Sequence, residues 1–388
     1  MHDFGDDRRA RKPTNRIRVW RLIAFPGVVA RCRDKCVSSP EMIFRQLFDQ
    51  ASSTYSYLLA SRAGGEALII DPVLEKVDRY LHLVKELDLK LVKAVDTHLH
   101  ADHITGLGAL RDHTRCITVM GEQTKADVVS MRLADGDKLT IEGLSLDVIY
   151  TPGHTDDSYS FALPDRVFTG DTLLIRGTGR TDFQNGDPRQ QYESLFGRLL
   201  KLPDTTLVYP AHDYKGDTVS TIAEEKAYNP RLQVRSVDEY VELMSNLKLG
   251  NPKMMDVAVP ANMKVGLAQE KIAQRGWAMT AQDVLPLMRS PDVALIDLRE
   301  RSERERHGTI PGSLHVPYLA LQENISSGGM LSELAKSTSK QLVFYCAFGE
   351  RSAMAVQAAQ DAGLATACHI QGGIDAWKKA SGPLVRPG

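Results

Sequence analysis

The chain has 388 residues, 43% hydrophobic and 25% charged, ordinary proportions for a globular protein too long for one comfortable core. Its 48 basic and 49 acidic side chains leave a formal charge of -1, which gives no electrostatic reason to expect nucleic acid or a membrane surface as partner. Five scattered cysteines, Cys32, Cys36, Cys116, Cys346 and Cys368, argue against a disulfide framework and for a reducing compartment, and no run approaches the roughly 20 apolar residues of a membrane span.

Residues 1–41 include the arginine-rich "RRARKPTNRIRVWRLIAFPGVVARCRDKC", which has no helical or strand period and reads as a disordered extension. The acidic opening "MHDFGDD" argues against a mitochondrial transit peptide, and Cys32 with Cys36 lacks the second ligand pair of a zinc site. A first domain is expected over 42–255. Its strand candidates are "YSYLLA", "EALIIDP", "LVKAVDTH", "LSLDVIYTP", "RVFTGD" and "TLVYPAH", and its helical candidates are "EKVDRYLHLVKEL" and "PRQQYESLFGRLLKL". A linker is expected over 256–277, where Pro260 interrupts a partly helical pattern. A second domain is expected over 278–388. It opens at "MTAQDVLPLMRS" with Thr280 as helix cap, then alternates the strands "VALIDLR" and "QLVFYC" with the helices "SAMAVQAAQDAG" and "GGIDAWKKA", a pattern that predicts a small parallel sheet with helical faces.

Several first-domain strands end at a histidine or an aspartate. His98, His100, Asp102 and His103 crowd "THLHADHITG", His154 follows in "TPGHT", Asp171 in "FTGD" and His212 in "PAHD". Imidazole and carboxylate hold borderline divalent metals, and strand ends can converge on one rim of a sheet, so these seven predict a metal cleft. His82 and His113 sit in polar helical stretches without partners and are read as exposed or structural.

The pattern H-x-H-x-D-H followed by His, Asp and His resembles the metallo-beta-lactamase superfamily, which implies an α/β fold with an αββα sandwich and the metal at one edge. "FTGDTLLIRGTGRTDFQNGD", "YPAHDYKG" and "VAVPANM" look like the persulfide dioxygenases within it. That resemblance implies one Fe(II) per chain, zinc being the alternative, held by His98, His154 and Asp171, with His100, Asp102, His103 and His212 as supporting residues or a vacant second site. Such a two-His-one-carboxylate face leaves about three positions open for two reactants. The same resemblance implies glutathione persulfide, dioxygen and water as substrates, giving glutathione and sulfite. It places Arg180, Asp182 and Tyr214 near the substrate: Arg180 would suit a glutathione carboxylate, against the alternative of a salt bridge within its own loop.

In the second domain Cys346 ends an apolar strand and is followed by a glycine-containing loop and a helix near Arg351. Backbone amides at that helix start, with Arg351 adding a full charge, would stabilise a thiolate. "LIDLRERSERERHGTIPGSLHVP", "CAFGER" and "GGIDAW" resemble a rhodanese-like domain with a parallel sheet. The resemblance implies sulfurtransferase activity, with sulfane sulfur moving between thiosulfate or sulfite and glutathione through a Cys346 persulfide. Four residues separate Cys346 from Arg351, where rhodanese-like phosphatases have five, and the smaller cradle favours sulfur over phosphate. Ala347 and Glu350 make the loop less cationic than in thiosulfate users, which favours a persulfide donor. Cys368 reads as a packing residue of a strand.

Together the resemblances imply a persulfide dioxygenase fused to a sulfurtransferase. The rivals are a zinc-dependent glyoxalase II-type thioesterase and a sulfur carrier or sensor acting on partner proteins. The expected compartment is the cytoplasm, or the mitochondrial matrix in a eukaryote, and the oligomeric state stays open, a homodimer among the options.

Overall fold

A computed structural model of the chain describes residues 42–387 except 128, 248, 251–253, 267 and 268. The expected extension at 1–41, with Cys32 and Cys36, lies outside the described residues.

Two six-stranded sheets build the first domain. The first runs Ile43–Asp49, Thr54–Ala60, Glu66–Ile70, Lys90–Val95, Ile117–Gly121 and Met131–Leu133 in spatial order, antiparallel for its first two pairings and parallel thereafter. The second runs Ser220–Thr221, Leu207–Pro210, Arg166–Gly170, Tyr159–Ala162, Leu144–Tyr150 and Lys138–Ile141. Side chains alternate across each strand, so one strand serves two cores. Tyr57, Leu59, Leu68 and Ile70 meet Val148, Phe161 and Phe168 between the sheets. Leu58, Ala60, Ala67 and Ile69 turn outward to Val77, Tyr80 and Val84 of the helix Val77–Glu86. On the second sheet Ala162, Val167 and Val208 face outward to Leu195, Leu199 and Tyr240. Both faces of the central strands are covered, hence their near-continuous apolar runs. The result is the helix, sheet, sheet, helix sandwich.

The third sheet is all parallel, in the order Ala278–Met279, Cys368–Ile370, Gln341–Tyr345, Val293–Asp297 and Leu314–His315. Its strands also alternate: Ile296, Leu342 and Phe344 face one way, Leu295, Val343 and Tyr345 the other. Thr280 caps its first helix in a reciprocal bond with Asp283.

One expectation changes. The stretch "PRQQYESLFGRLLKL" is not one α-helix but an α-helical turn Pro188–Tyr192, a π-helical segment Glu193–Arg198 and a 3-10 turn Leu199–Lys201. The span expected as a linker holds the helix Met255–Asn262, with Pro260 inside it and Asn262 buried against the first domain.

Candidate functional site

The first cluster forms at one rim of the sandwich. Lys90–Val95 leads into the turn bearing His98, His100, Asp102 and His103, while His154, Asp171 and His212 follow the strands Leu144–Tyr150, Arg166–Gly170 and Leu207–Pro210. Gly170 makes the turn into Asp171 at φ +53, where a Cβ would come within 2.8 Å of the Thr97 hydroxyl oxygen. One donor atom from each of His98, His154 and Asp171 lies within 4.8 Å of the others, and all three side chains are buried.

Hydrogen bonds behind the rings fix which nitrogen faces the centre. Asp71 accepts the Thr97 amide at 2.7 Å and the Thr97 hydroxyl at 3.0 Å. With its one proton given to Asp71, the Thr97 oxygen accepts from His98 Nδ1 at 3.0 Å, leaving Nε2 with a lone pair. His154 Nδ1 donates to the Arg180 carbonyl at 2.7 Å, with the same consequence. Two imidazole lone pairs and one carboxylate therefore converge, and this donor set fits a divalent metal. Burial, then the neighbouring imidazoles, push His98 well below its ordinary pKa, so it stays neutral. Burial would raise Asp171, but His212, through its charge and its hydrogen bond, outweighs it and holds the carboxyl ionised.

The other four candidates brace this group. His100 Nε2 lies 3.1 Å from Asp71, and His103 Nδ1 lies 2.8 Å from Asp102 Oδ2. His100, Asp102 and His103 form a second close group. Asp102 Oδ2, however, is shared with His212 Nε2 at 2.8 Å, and His212 Nδ1 meets Asp171 Oδ1 at 2.6 Å. Burial opposes a charge on His212, yet Asp102 and Asp171 raise its pKa well above the usual value. Protonated at both nitrogens, His212 has no lone pair and acts as a cationic prop for Asp171.

A cavity of about 260 Å³ opens beside His98, His154 and Asp171, with Leu174, Ile175, Phe183 and Tyr214 among its walls and Lys215 and Arg176 as cations. Arg180 grips Asp182 through two bonds of 2.6 Å, donates to the Gly250 carbonyl at 2.6 Å and covers the Phe183 ring at 4.6 Å. Its guanidinium thus bridges Asp182 of its own loop and the segment at Leu249 and Gly250, and its carbonyl aligns His154. The Tyr214 ring lies parallel to that of His212, centroids 6.1 Å apart, and is exposed.

The second cluster surrounds Cys346, which follows the strand Gln341–Tyr345 and precedes the helix Glu350–Asp361. The Gly349 amide donates to its Sγ at 3.2 Å, as the loop-amide argument expects. Arg351 is held by bonds of 2.7 and 2.6 Å to Glu303 and one of 2.7 Å to the Ser130 carbonyl, and its charge still interacts with Cys346. Glu350 does not dilute the cradle: its carboxylate reaches into the first domain, to Arg111 at 2.6 Å, Thr118 at 2.9 Å and the Ser130 hydroxyl. Gly373 packs on the Cys346 carbonyl, 2.4 Å from where its Cβ would stand, which accounts for the second glycine of "GGIDAW". Burial pushes the Cys368 thiol up to about 11, in keeping with a packing role. His82 and His113 are exposed.

Sequence reading missed Asp71, Asn262, Glu303 and Arg111. Asp71 closes "EALIIDP", and its position at a strand end was an available signal. Asn262, in "VAVPANM", donates to the carbonyls of His100 at 2.9 Å and His103 at 2.8 Å and accepts from the Thr105 amide at 2.9 Å.

Residues 50–212 match the family model of the metallo-beta-lactamase superfamily, and residues 280–380 match that of the rhodanese-like domain. The chain is 45% identical over 240 residues to the mitochondrial persulfide dioxygenase ETHE1 of Mus musculus, covering 61% of this chain and 94% of that protein. It is 55% identical to the crystal structure of ETHE1 from Myxococcus xanthus, with a TM-score of 0.56 over 57% of this chain and 98% of that one. A metallo-beta-lactamase from Staphylococcus aureus shares the fold at 19% identity, with a TM-score of 0.54 over 86% of this chain and 99% of that one.

Proposed function

We propose, from the premise that the chain belongs to the persulfide dioxygenase family of the metallo-beta-lactamase superfamily and carries a rhodanese-like domain, that it is a persulfide dioxygenase fused to a sulfurtransferase. The reaction at the first site is glutathione persulfide plus dioxygen and water giving glutathione, sulfite and two protons. The observation that carries this reading is the convergence of two imidazole lone pairs and one carboxylate, from His98, His154 and Asp171, in a buried group. An iron(II) ion held by these three would supply the redox chemistry that joins a persulfide to dioxygen. Around it Asp71 and Thr97 orient His98, the Arg180 carbonyl orients His154, and the Asp102–His212 pair holds Asp171 ionised. Both ring nitrogens of His212 are engaged by carboxylates, Nδ1 by Asp171 and Nε2 by Asp102, which favours one metal over two. The adjoining cavity offers apolar wall for a peptide thiol and Lys215 for a carboxylate.

At the second site the Cys346 thiolate attacks the outer sulfur of a persulfide or of thiosulfate. The old S–S bond breaks, the glutathione thiolate or sulfite leaves, and a Cys346 persulfide remains. Sulfite or a glutathione thiolate then takes the outer sulfur and restores the Cys346 thiolate. Neutralised by Arg111, Glu350 does not disfavour thiosulfate, so both donors suit the loop. Free buried thiols suit the cytoplasm or a mitochondrial matrix, and no described helix is long and apolar enough to cross a membrane.

Metal analysis joined to an oxygen electrode trace on glutathione persulfide tests the reading. One iron per chain and stoichiometric oxygen uptake are expected, with uptake abolished in His154→Ala while sulfur transfer persists, and transfer abolished in Cys346→Ser while uptake persists. Two zinc ions per chain and thioester hydrolysis without oxygen uptake would overturn it.

A further inference from the structure

Behind Cys346 lie two buried polar side chains that neither proposed reaction uses. Ser352, in the helix Glu350–Asp361, places its hydroxyl 3.7 Å from the Cys346 sulfur and 3.1 Å from the Gly349 carbonyl. His369, on the adjacent strand Cys368–Ile370, places Nδ1 3.1 Å from that same hydroxyl. Cys346, Ser352 and His369 are all 0% exposed. His369 Nε2 is buried with no hydrogen-bond partner among the described residues.

These contacts determine where the protons sit. Burial pushes His369 down to about 4, so near neutral pH it carries one ring proton. A buried N–H without an acceptor costs more than a bare lone pair, which puts the proton on Nδ1 and leaves Nε2 as the orphan. His369 Nδ1 therefore donates to Ser352, and the Ser352 proton is free to choose between two acceptors. With Cys346 a neutral thiol, the hydroxyl donates to the Gly349 carbonyl. Once the sulfur is ionised, as thiolate or as terminal persulfide, it becomes the stronger acceptor and the hydroxyl turns to it, beside the Gly349 amide already in place.

We propose that Ser352 is the second hydrogen-bond donor to the ionised Cys346 sulfur, and that His369 is the positioning residue that keeps its hydroxyl proton available for that bond. The inference rests on the sulfurtransferase reading and deepens it. The charges around the loop are Arg351, which interacts with Cys346 and pairs with Glu303, Glu350 paired with Arg111, Asp375 of the helix Gly373–Lys379 paired with Lys379, and Arg132 over the Phe348 ring. Substituting Ser352 or His369 leaves those pairs standing.

The test is the pH dependence of Cys346 alkylation by iodoacetamide in the full chain, resolved from the other four cysteines by peptide mass spectrometry. Removing one hydrogen bond to an ionised group in Ser352→Ala should move the alkylation midpoint up by about one pH unit and lower sulfur transfer near pH 7 about tenfold. His369→Leu should give a shift of the same size, the Ser352→Ala/His369→Leu double variant should shift no further, and His369→Asn, whose amide can donate, should recover part of it. A wild-type midpoint in Ser352→Ala, or single shifts that add in the double variant, would overturn the proposal. A wild-type near-ultraviolet circular dichroism spectrum certifies the fold, and should His369→Leu not fold, Ser352→Ala decides alone. Shifted midpoints in a protein that transfers no sulfur would remove the sulfurtransferase reading and leave this hydrogen-bond relay in place.

Discussion

Removal of the Arg111 charge should loosen the Cys346 loop, because the residue beside the loop's arginine is anchored in the other domain. Arg111 is 4% exposed and Glu350 0%, and their 2.6 Å contact is reinforced by Thr118 and Ser130 on the Glu350 carboxylate. Arg111→Met keeps most of the apolar stem but leaves a buried carboxylate with its hydroxyl donors and without that cation, a loss of about 3 kcal/mol. Glu350→Gln is milder, about 2 kcal/mol, because Arg111 retains the Val265 carbonyl and Asp112. The double variant leaves no orphaned charge and should cost about 3 kcal/mol rather than 5, a coupling of about 2 kcal/mol. Urea titration followed by tryptophan fluorescence reads this locally, since Trp277 hydrogen-bonds the strand of His369 and Trp377 is fully buried beneath the third sheet. Sulfur transfer should fall in step, with dioxygen uptake less affected. Arg111→Met within about 0.5 kcal/mol of wild type, or single costs that add, would refute the reasoning.

Asn262→Leu deletes three buried bonds to the turn of His98–Thr105 and should weaken metal affinity about tenfold, read by competition with a chelator; an unchanged affinity would refute a supporting role. His369 gives the second domain a definite pH response. Its folded pKa, about 4, lies below the unfolded value near 6.5, so the stability present above pH 6.5 is lost as the pH falls, by about 2 kcal/mol between pH 7.5 and 5. His369→Asn should flatten that slope, and an unchanged slope in urea titrations at the two pH values would refute it. Stripping the metal with a chelator should lower the melting temperature of the first domain and leave sulfur transfer at Cys346 unchanged; an equal loss at both sites would contradict independent chemistry.

The elements most legible in the sequence were those whose side chains serve one local rule. The central strands are covered on both faces and therefore read as apolar runs, and the seven metal-type residues stood out because their chemistry is rare and their places at strand ends recur. What was not legible depends on partners distant in the chain. The stretch 188–202 has a helical period, but Ser194 donates to the Pro152 carbonyl and Arg198 reaches Asp135, tertiary bonds that accompany the π-helical turn. Glu303 lies in the charge run "RERSERER", where nothing marks it as the partner of Arg351. The role of Glu350 could not be read from loop composition, because the cation that answers it comes from the other domain.

The segment that joins the domains has a role beyond a tether. From the helix Met255–Asn262, Asn262 ties down the turn that carries His98, His100 and His103. Val265 offers its carbonyl to Arg111, the residue that anchors Glu350. Gln269 donates to the Phe348 carbonyl at 3.1 Å and accepts from the Gly372 amide at 3.3 Å, joining the two sides of the loop that holds Cys346. Within a short stretch, the side chains of Asn262 and Gln269 and the Val265 carbonyl thus touch the support of one site and the rim of the other. A flexible linker would leave each site to be shaped by its own domain; here the Cys346 loop takes its anchor from Arg111 and Ser130 and its brace from Gln269, all outside the third sheet. The sulfurtransferase loop is therefore built across the domain boundary, and an isolated second domain would lose Arg111, Thr118 and Ser130 from the buried Glu350 carboxylate and the Ser130 carbonyl from the buried Arg351, a substantial loss in a fold of ordinary marginal stability.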